Sequence, residues 1–341
     1  MTLTVTLTAQ QGQGVDFNDY LTQHFTDFAP HGMPLFNNAT DSDETTQIVH
    51  LATPEAGAEA DTRFVALEGD DFTYTFSNHT ISGTIETIRL GTLGAAWDAE
   101  AGDVALTDGL LGAAGTAVTL SGFNITNAAG VAGAVHEIVA GLMGGGPSGG
   151  NADASNILEA VFGQAHDVTG SAAADVYSGT RFGDSVQGRG GDDAISGLNG
   201  EDSLSGGAGA DMLAGGRGAD TLAGGAGADT LSGGGGKDLL TGGRGADQFF
   251  FGSAAGAKGD VIADFSLRAG DVIDFSALAG DDEAGLTFIG NDRFSGEAGE
   301  VRFVIRSGYT RVQADLDGDG RADFNIALTG EKTLTSEDFL L

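Results

Sequence analysis

The chain has no cysteine and only 4 prolines among 341 residues. The first absence excludes a disulfide framework, zinc–thiolate sites, iron–sulfur clusters and a cysteine nucleophile. The second excludes collagen and a proline-rich linker protein. Basic side chains are scarce as well, 15 against 49 acidic ones, for a net charge of −34. A surface this negative repels phosphates and anionic headgroups, so nucleic acid and lipid surfaces are poor partners and divalent cations good ones. No apolar run approaches the roughly 18 residues that span a bilayer, so membrane insertion is not expected. The opening MTLTVTLTAQQGQG lacks a basic stretch followed by an apolar segment, so no cleavable secretory signal is expected either. What the chain has in excess is glycine, 59 residues. A hydrophobic share of 40 % argues against wholesale disorder, and the length suffices for two or three cores.

The glycines are phased. Aspartates recur every nine residues at Asp175, Asp184, Asp193, Asp202, Asp211, Asp220, Asp229, Asp238 and Asp247. Two positions after each stands an apolar side chain: Tyr177, Val186, Ile195, Leu204, Leu213, Leu222, Leu231, Leu240 and Phe249. From Asp211 onward each aspartate also follows a pair of glycines: Gly207 and Gly209, Gly216 and Gly218, Gly225 and Gly227, Gly234 and Gly236, Gly243 and Gly245. A flexible linker needs no such phased apolar residue. Calcium takes six to eight oxygens at about 2.3–2.6 Å, more than one carboxylate per turn supplies, so backbone carbonyls must converge in tight turns. Glycine reaches the positive φ of such turns without a Cβ penalty. The spacing therefore predicts a parallel β-roll with two nonapeptides per coil. Asp211 and Asp229 stack on one edge and Asp220 and Asp238 on the other, with calcium between turns. Asp193 and Asp202 and the aspartates and glycines from 207 to 247 are the candidate ligands. The units ending at Asp175 (GSAAA) and Asp184 (GTRFG) are degraded, and fewer ions are expected there.

This nonapeptide resembles that of the RTX proteins of bacterial type I secretion. The resemblance implies Ca2+ as a folding cofactor, a chain that leaves the cell unfolded through the type I machinery, and an extracellular location. Beyond 250 the repeat gives way to short strands, VIADF, DVIDF and LTFI, and to a hairpin in which VRFVIR and RVQADL flank Ser307-Gly308-Tyr309-Thr310. The region is similar to the C-terminal part of serralysin-type proteins, with Glu337-Asp338-Phe339-Leu340-Leu341 resembling their export signal. Asp315-Leu316-Asp317-Gly318-Asp319-Gly320 opens like an EF-hand loop, but Ile326 stands where the bidentate glutamate belongs. It reads as an incomplete calcium site, which Asp323 could supplement, or as a plain acidic turn.

The first 167 residues hold all six histidines. Phe17, Tyr20, Leu21 and Phe25 fall at helical spacing, as do Val135, Ile138, Val139 and Leu142, and 155–162 reads as a last short helix. FTYTF and TISGTIETIRL read as strands. The expected architecture is an α+β domain with an antiparallel sheet and helices (1–167), a parallel β-roll (168–250) and a β-rich cap (251–341).

The segments FNDYL, LEGDDFTYTFSNHTISGTIETIRLG and AVHEIVAGLMGGG…NILEAVFG resemble, in order and spacing, the HasA-type hemophores, secreted proteins that capture haem and pass it to an outer-membrane receptor. The resemblance implies haem as cofactor, Tyr74 as axial ligand, His79 as its hydrogen-bonding assistant and His31 in the loop that brings a second ligand. A phenolate is a hard anionic donor suited to ferric haem. Free tyrosine ionises near pH 10, so iron and an imidazole must together favour its charged form. Tyr74 also reads simply as a strand aromatic between two phenylalanines. His24, His50 and His166 read as surface or core residues, and His136 as a packed helical one.

Catalytic motifs are incomplete. His136-Glu137 begins an HExxH whose second histidine is replaced by Ala140, and Gly146-Pro147-Ser148-Gly149-Gly150 follows a helix rather than a strand. Gly236-Lys237 precedes Asp238 rather than Ser or Thr. A non-enzymatic haem-binding protein is therefore expected. The alternatives are a calcium-stiffened surface protein without haem and a cryptic hydrolase.

Overall fold

In the computed structural model, Ile48, Leu67, Ile88, Leu120 and Val5 stand opposite one another in a row that crosses five antiparallel strands, all of them buried. The structure describes residues 2–9, 12–25, 28–30, 35–37, 45–52, 58–75, 80–93, 97–98, 103–104, 116–127, 138–139, 142, 154–278 and 285–341. The chain divides into two compact units, Met1–Asp167 and Val168–Leu341.

The N-terminal unit contains β1 (Thr2–Leu7), α1 (Phe17–Phe25), β2 (Leu35–Asn37), β3 (Thr45–Leu51), β4 (Arg63–Thr75), β5 (Thr80–Thr92), β6 (Trp97–Asp98), β7 (Asp103–Val104), β8 (Thr116–Asn127) and α2 (Ser155–Phe162). Its main sheet has the order β2-β3-β4-β5-β8-β1, antiparallel throughout, and β6 and β7 form a separate ribbon. Phe64, Val65, Ala66 and Leu67 of β4 are buried in succession, as are Ile88, Arg89 and Leu90 of β5, so both faces of the sheet are covered there. Helix α1 starts where the Asp16 side chain accepts the Asp19 amide at 3.0 Å, and it buries Phe17, Leu21, His24 and Phe25. Its last carbonyls, of Gln23 and His24, accept from Arg63 at 2.8 and 2.7 Å. The helix expected over Val131–Met143 falls mostly outside the described residues, of which Ile138, Val139 and Leu142 are helical and buried.

The C-terminal unit is a parallel solenoid. Val176–Ser178, Ala194–Asn199, Met212–Arg217, Thr230–Gly235 and Gln248–Phe250 stack as one sheet. Ser185–Gly190, Ser203–Ala208, Thr221–Ala226 and Leu239–Arg244 stack as the other, each strand in register with the one 18 residues on. The phased apolar residues point inward, from Tyr177 to Phe249, and none is more than 4 % exposed.

The ladders do not stop at 250. Val261–Ile262 and Val272–Asp274 add rungs to the two sheets, and Phe339–Leu340 adds one more beside Ile273 and Asp274. Phe275 gathers Phe251, Phe324 and Phe339 at centroid distances of 5.4–6.1 Å, which closes this end of the core. The hairpin is tighter than the sequence indicates: Arg306 pairs with Tyr309, so Tyr309 and Thr310 belong to the strand and Ser307-Gly308 alone makes the turn. Gly308 permits this at φ 84°.

Two non-glycine residues hold positive φ among the described residues, Arg189 (77°) and Leu198 (72°). Their register partners are Gly207 and Gly216, so they occupy the glycine position of incomplete units. A left-handed backbone costs a side-chain-bearing residue about 1–2 kcal/mol, partly offset by the entropy glycine loses on folding. Arg189→Gly and Leu198→Gly are each expected to raise the stability of the calcium-loaded protein by about 0.5–1 kcal/mol, read from denaturant midpoints.

Candidate calcium columns and the tyrosine hairpin

The repeat aspartates form two columns joined by hydrogen bonds. In one, the amide of Asp175 donates to Asp193 Oδ1, that of Asp193 to Asp211, Asp211 to Asp229 and Asp229 to Asp247, at 2.8–3.0 Å. In the other, Asp184 donates to Asp202, Asp202 to Asp220 and Asp220 to Asp238, at 2.7–2.9 Å. Each aspartate of this series is buried. One carboxylate oxygen is thus satisfied by the backbone of the preceding turn.

The other oxygen is not. Oδ2 of Asp193, Asp202, Asp211, Asp220, Asp229, Asp238, Asp247 and Asp260 is buried without a hydrogen-bond partner. A buried unsatisfied polar group costs about 1–3 kcal/mol, more when charged, and a native fold tolerates few. Eight in two regular columns require a cation. Burial pushes the carboxyls of Asp193 and Asp260 up to about 7 and those of Asp220 and Asp229 up to about 6, with neighbouring aspartates adding to the shift and the amide bonds opposing it. Asp202, Asp211, Asp238 and Asp247 are raised for the same leading reason.

The glycines complete the cradle. Gly207, Gly216, Gly225, Gly234 and Gly243 hold φ of 93–116°, and Gly209, Gly218, Gly227, Gly236 and Gly245 hold φ of 135–158°. A Cβ on Gly227 would overlap the Gly209 carbonyl oxygen, and one on Gly224 would overlap Asp229 Oδ2. The residues therefore fit calcium: the free Oδ2 supplies the charge, and carbonyls of stacked turns would supply further oxygens.

The first two units are different. The residue four before Asp175 is Ser171 and that before Asp184 is Thr180, neither at positive φ. Ser171 gives its amide and hydroxyl to Asp175 at 2.6 and 3.2 Å, and Thr180 gives the same pair to Asp184 at 2.7 and 3.1 Å. Both carboxylates are closed locally, as in an ST turn. Where glycine, Arg189 or Leu198 holds that position at positive φ, Oδ2 stays open.

Asp260 was not visible as a ligand in the repeat. It follows Asp238 by 22 residues rather than 18, yet its Oδ1 accepts the Asp238 amide at 3.0 Å and its Oδ2 is open. The signal that could have found it is DVIADF, where Asp260 keeps its place two before an apolar residue. Asp271 extends the other column but accepts from both Asp247 and Ser266, and so is filled.

The carboxylates of Asp315, Asp317 and Asp323 converge within 4.8 Å. Both Asp315 oxygens already accept amides, from Gly318 and Gly320 at 2.8 Å, and Asp323 accepts that of Leu316 at 2.6 Å. The turn is held by its own backbone.

In the N-terminal unit Tyr74 lies next to the end of β4, opposite Ile81 of β5. Thr75 pairs with Thr80, so 76–79, which includes His79, connect the two strands. His79, His31 and His136 lie outside the described residues. The other three histidines are buried. Burial lowers His24 to about 4 despite its 3.0 Å bond to the Phe64 carbonyl, and lowers His50 to about 3. His166 meets the Val161 carbonyl at 2.9 Å.

These columns define a calcium-type parallel β-roll. Residues 169–204 match the RTX calcium-binding nonapeptide repeat, and residues 190–341 match the C-terminal domain of the serralysin peptidases. The two matches together span residues 169–341, which thus carry RTX-type calcium-binding repeats and a serralysin-type C-terminal region. Among solved structures, the R2 subunit of the mannuronan C5-epimerase AlgE6 from Azotobacter vinelandii is 31 % identical over 50 % of this chain and 93 % of its own, with a TM-score of 0.27. The apo hemophore HasA from Yersinia pestis is 19 % identical over 46 % of this chain and 84 % of its own, at 0.30. A monomeric point mutant of HasA from Yersinia pseudotuberculosis is 16 % identical over 47 % and 87 %, at 0.31. No curated protein matches.

Two outcomes follow from the open oxygens. Asp229→Asn is expected to lower the calcium bound per chain, measured by elemental analysis after gel filtration, whereas Asp184→Asn leaves that count unchanged. The raised carboxyls also set a pH dependence. Without calcium, the folded turns hold more protons than the unfolded chain. Their contribution is full below the unfolded value near about 3.9 and is lost as pH rises through about 7. Calcium binds the carboxylate, so in its presence stability rises over the same window. Circular dichroism with chelator is expected to lose sheet signal from about pH 4 to about pH 8, and with calcium to gain it.

Proposed function

We propose that this protein is an exported, non-enzymatic haem-binding protein whose C-terminal half folds on calcium. The observation that carries the calcium-dependent half is the pair of aspartate columns with open, buried Oδ2 atoms. With its carboxyls ionised an array of this kind needs a divalent ion to close, and extracellular calcium modules bind at about 10⁻⁴–10⁻³ M, far above free cytosolic calcium. The serralysin-type C terminus supports passage through a type I secretion channel before folding. Among the described residues no helix is long and apolar enough to cross a membrane.

The cargo is assigned on the N-terminal unit. Support comes from the three hemophore-like segments of the sequence and from the β4–β5 hairpin, which carries Tyr74 beside its end and His79 in its connection. Tyr74 would bind ferric iron as phenolate, His79 would donate a hydrogen bond to that phenolate oxygen, and His31 would supply a second ligand. Haem supplies the iron chemistry; the chain supplies the clamp, and an outer-membrane receptor would take over the cargo.

Titration with haemin is expected to shift the ferric Soret band of the wild-type protein and to leave it unshifted in Tyr74→Phe. A wild-type spectrum equal to that of free haemin removes the haem reading and leaves a calcium-stabilised surface protein.

A further inference from the structure

The N-terminal unit carries 21 acidic side chains and 2 arginines, a balance of −19 before histidine. Both arginines are committed. The Arg63 guanidinium closes the C-terminal carbonyls of α1 and lies 5.7 Å from the Phe28 ring centroid. Arg89 is 7 % exposed; its Nε and Nη2 donate to Glu68 Oε1 at 2.9 and 2.6 Å, and its Nη1 donates to Thr116 at 3.2 Å. Gln47 adds a third donor to the same Glu68 oxygen. His24 and His166 are buried against backbone carbonyls, and His50 is buried in the sheet. Among the described residues, then, no cationic side chain of this unit is available to a ligand carboxylate.

An anionic ligand approaching such a unit meets a repulsive field and no partner for its charge. Desolvating a carboxylate without a partner is costly, so those groups stay in water. We infer that the unit selects its cargo against negative charge: an iron porphyrin is held by its metal and its ring face, the carboxylates are left in solvent, and each added anionic group on the porphyrin slows capture. This rests on the haem reading above. It concerns specificity, since the same field admits neutral porphyrin esters and disfavours porphyrins with four or eight carboxylates.

The test is stopped-flow association of the full calcium-loaded chain with haemin and with its neutral dimethyl ester. Salt is raised from about 0.01 M to about 1 M, which shortens the screening length from about 30 Å to about 3 Å. Haemin capture is expected to accelerate by about tenfold across that range and ester capture to stay flat. Glu86→Lys combined with Glu159→Lys, two exposed positions of the unit, is expected to speed haemin capture at low salt and not ester capture. A haemin rate that falls with salt or matches the ester throughout overturns the inference while haem binding stands. A Soret band shifted by neither porphyrin overturns the haem reading and this inference with it.

Discussion

The C-terminal half of this protein depends on one unmet interaction, the carboxylate oxygen that each repeat turn from Asp193 onward buries and leaves without a donor. Stacked strands sit about 4.8 Å apart, so successive aspartates in a column face one another across one rung. At an effective dielectric constant of about 20, two charges at that distance repel by about 3–4 kcal/mol. The thin inner row of one apolar side chain per nonapeptide offers little to set against repulsion repeated along both columns. A divalent ion between turns converts each repulsion into a shared attraction. The phased glycines of the repeats follow from that arrangement.

A single backbone torsion separates turns that need metal from turns that do not. Four residues before each nonapeptide aspartate from Asp175 to Asp247 the chain either takes positive φ and turns away, leaving Oδ2 open, or stays out of that region with Ser171 or Thr180 and closes the carboxylate with its own amide and hydroxyl; Asp260, beyond the repeat, is open without that torsion. Arg189 and Leu198 show that the torsion, not the glycine, defines the open turn, since both adopt it with a side chain and both precede an open aspartate.

Periodicity made the solenoid legible: a phase of nine with a glycine pair and an apolar residue has one compact solution, and the inward rows from Tyr177 to Phe249 lie where that phase puts them. The same reliance on phase hid Asp260 and the later rungs, because the chain between Asp238 and Asp260 is longer than one coil while the spatial stack is unbroken. A period in sequence is sufficient for a rung but not necessary. In the N-terminal unit, α1, α2 and the β4–β5 hairpin could be read from 3.6- and 2-residue spacing. The order β2-β3-β4-β5-β8-β1 could not, because β1 joins the far edge beside β8, a pairing across more than a hundred residues that no local pattern encodes. Tyr74 could be placed on its strand; His79 and His31, expected with it from the resemblance, lie outside the described residues.

The hydroxyl-closed turns at Ser171 and Thr180 give the array a direction. They form a short metal-free platform whose backbone amides at Asp175 and Asp184 already point at the next carboxylates, Asp193 and Asp202. This end is closed by hydroxyl-bound carboxylates, while the far end is sealed by a phenylalanine cluster.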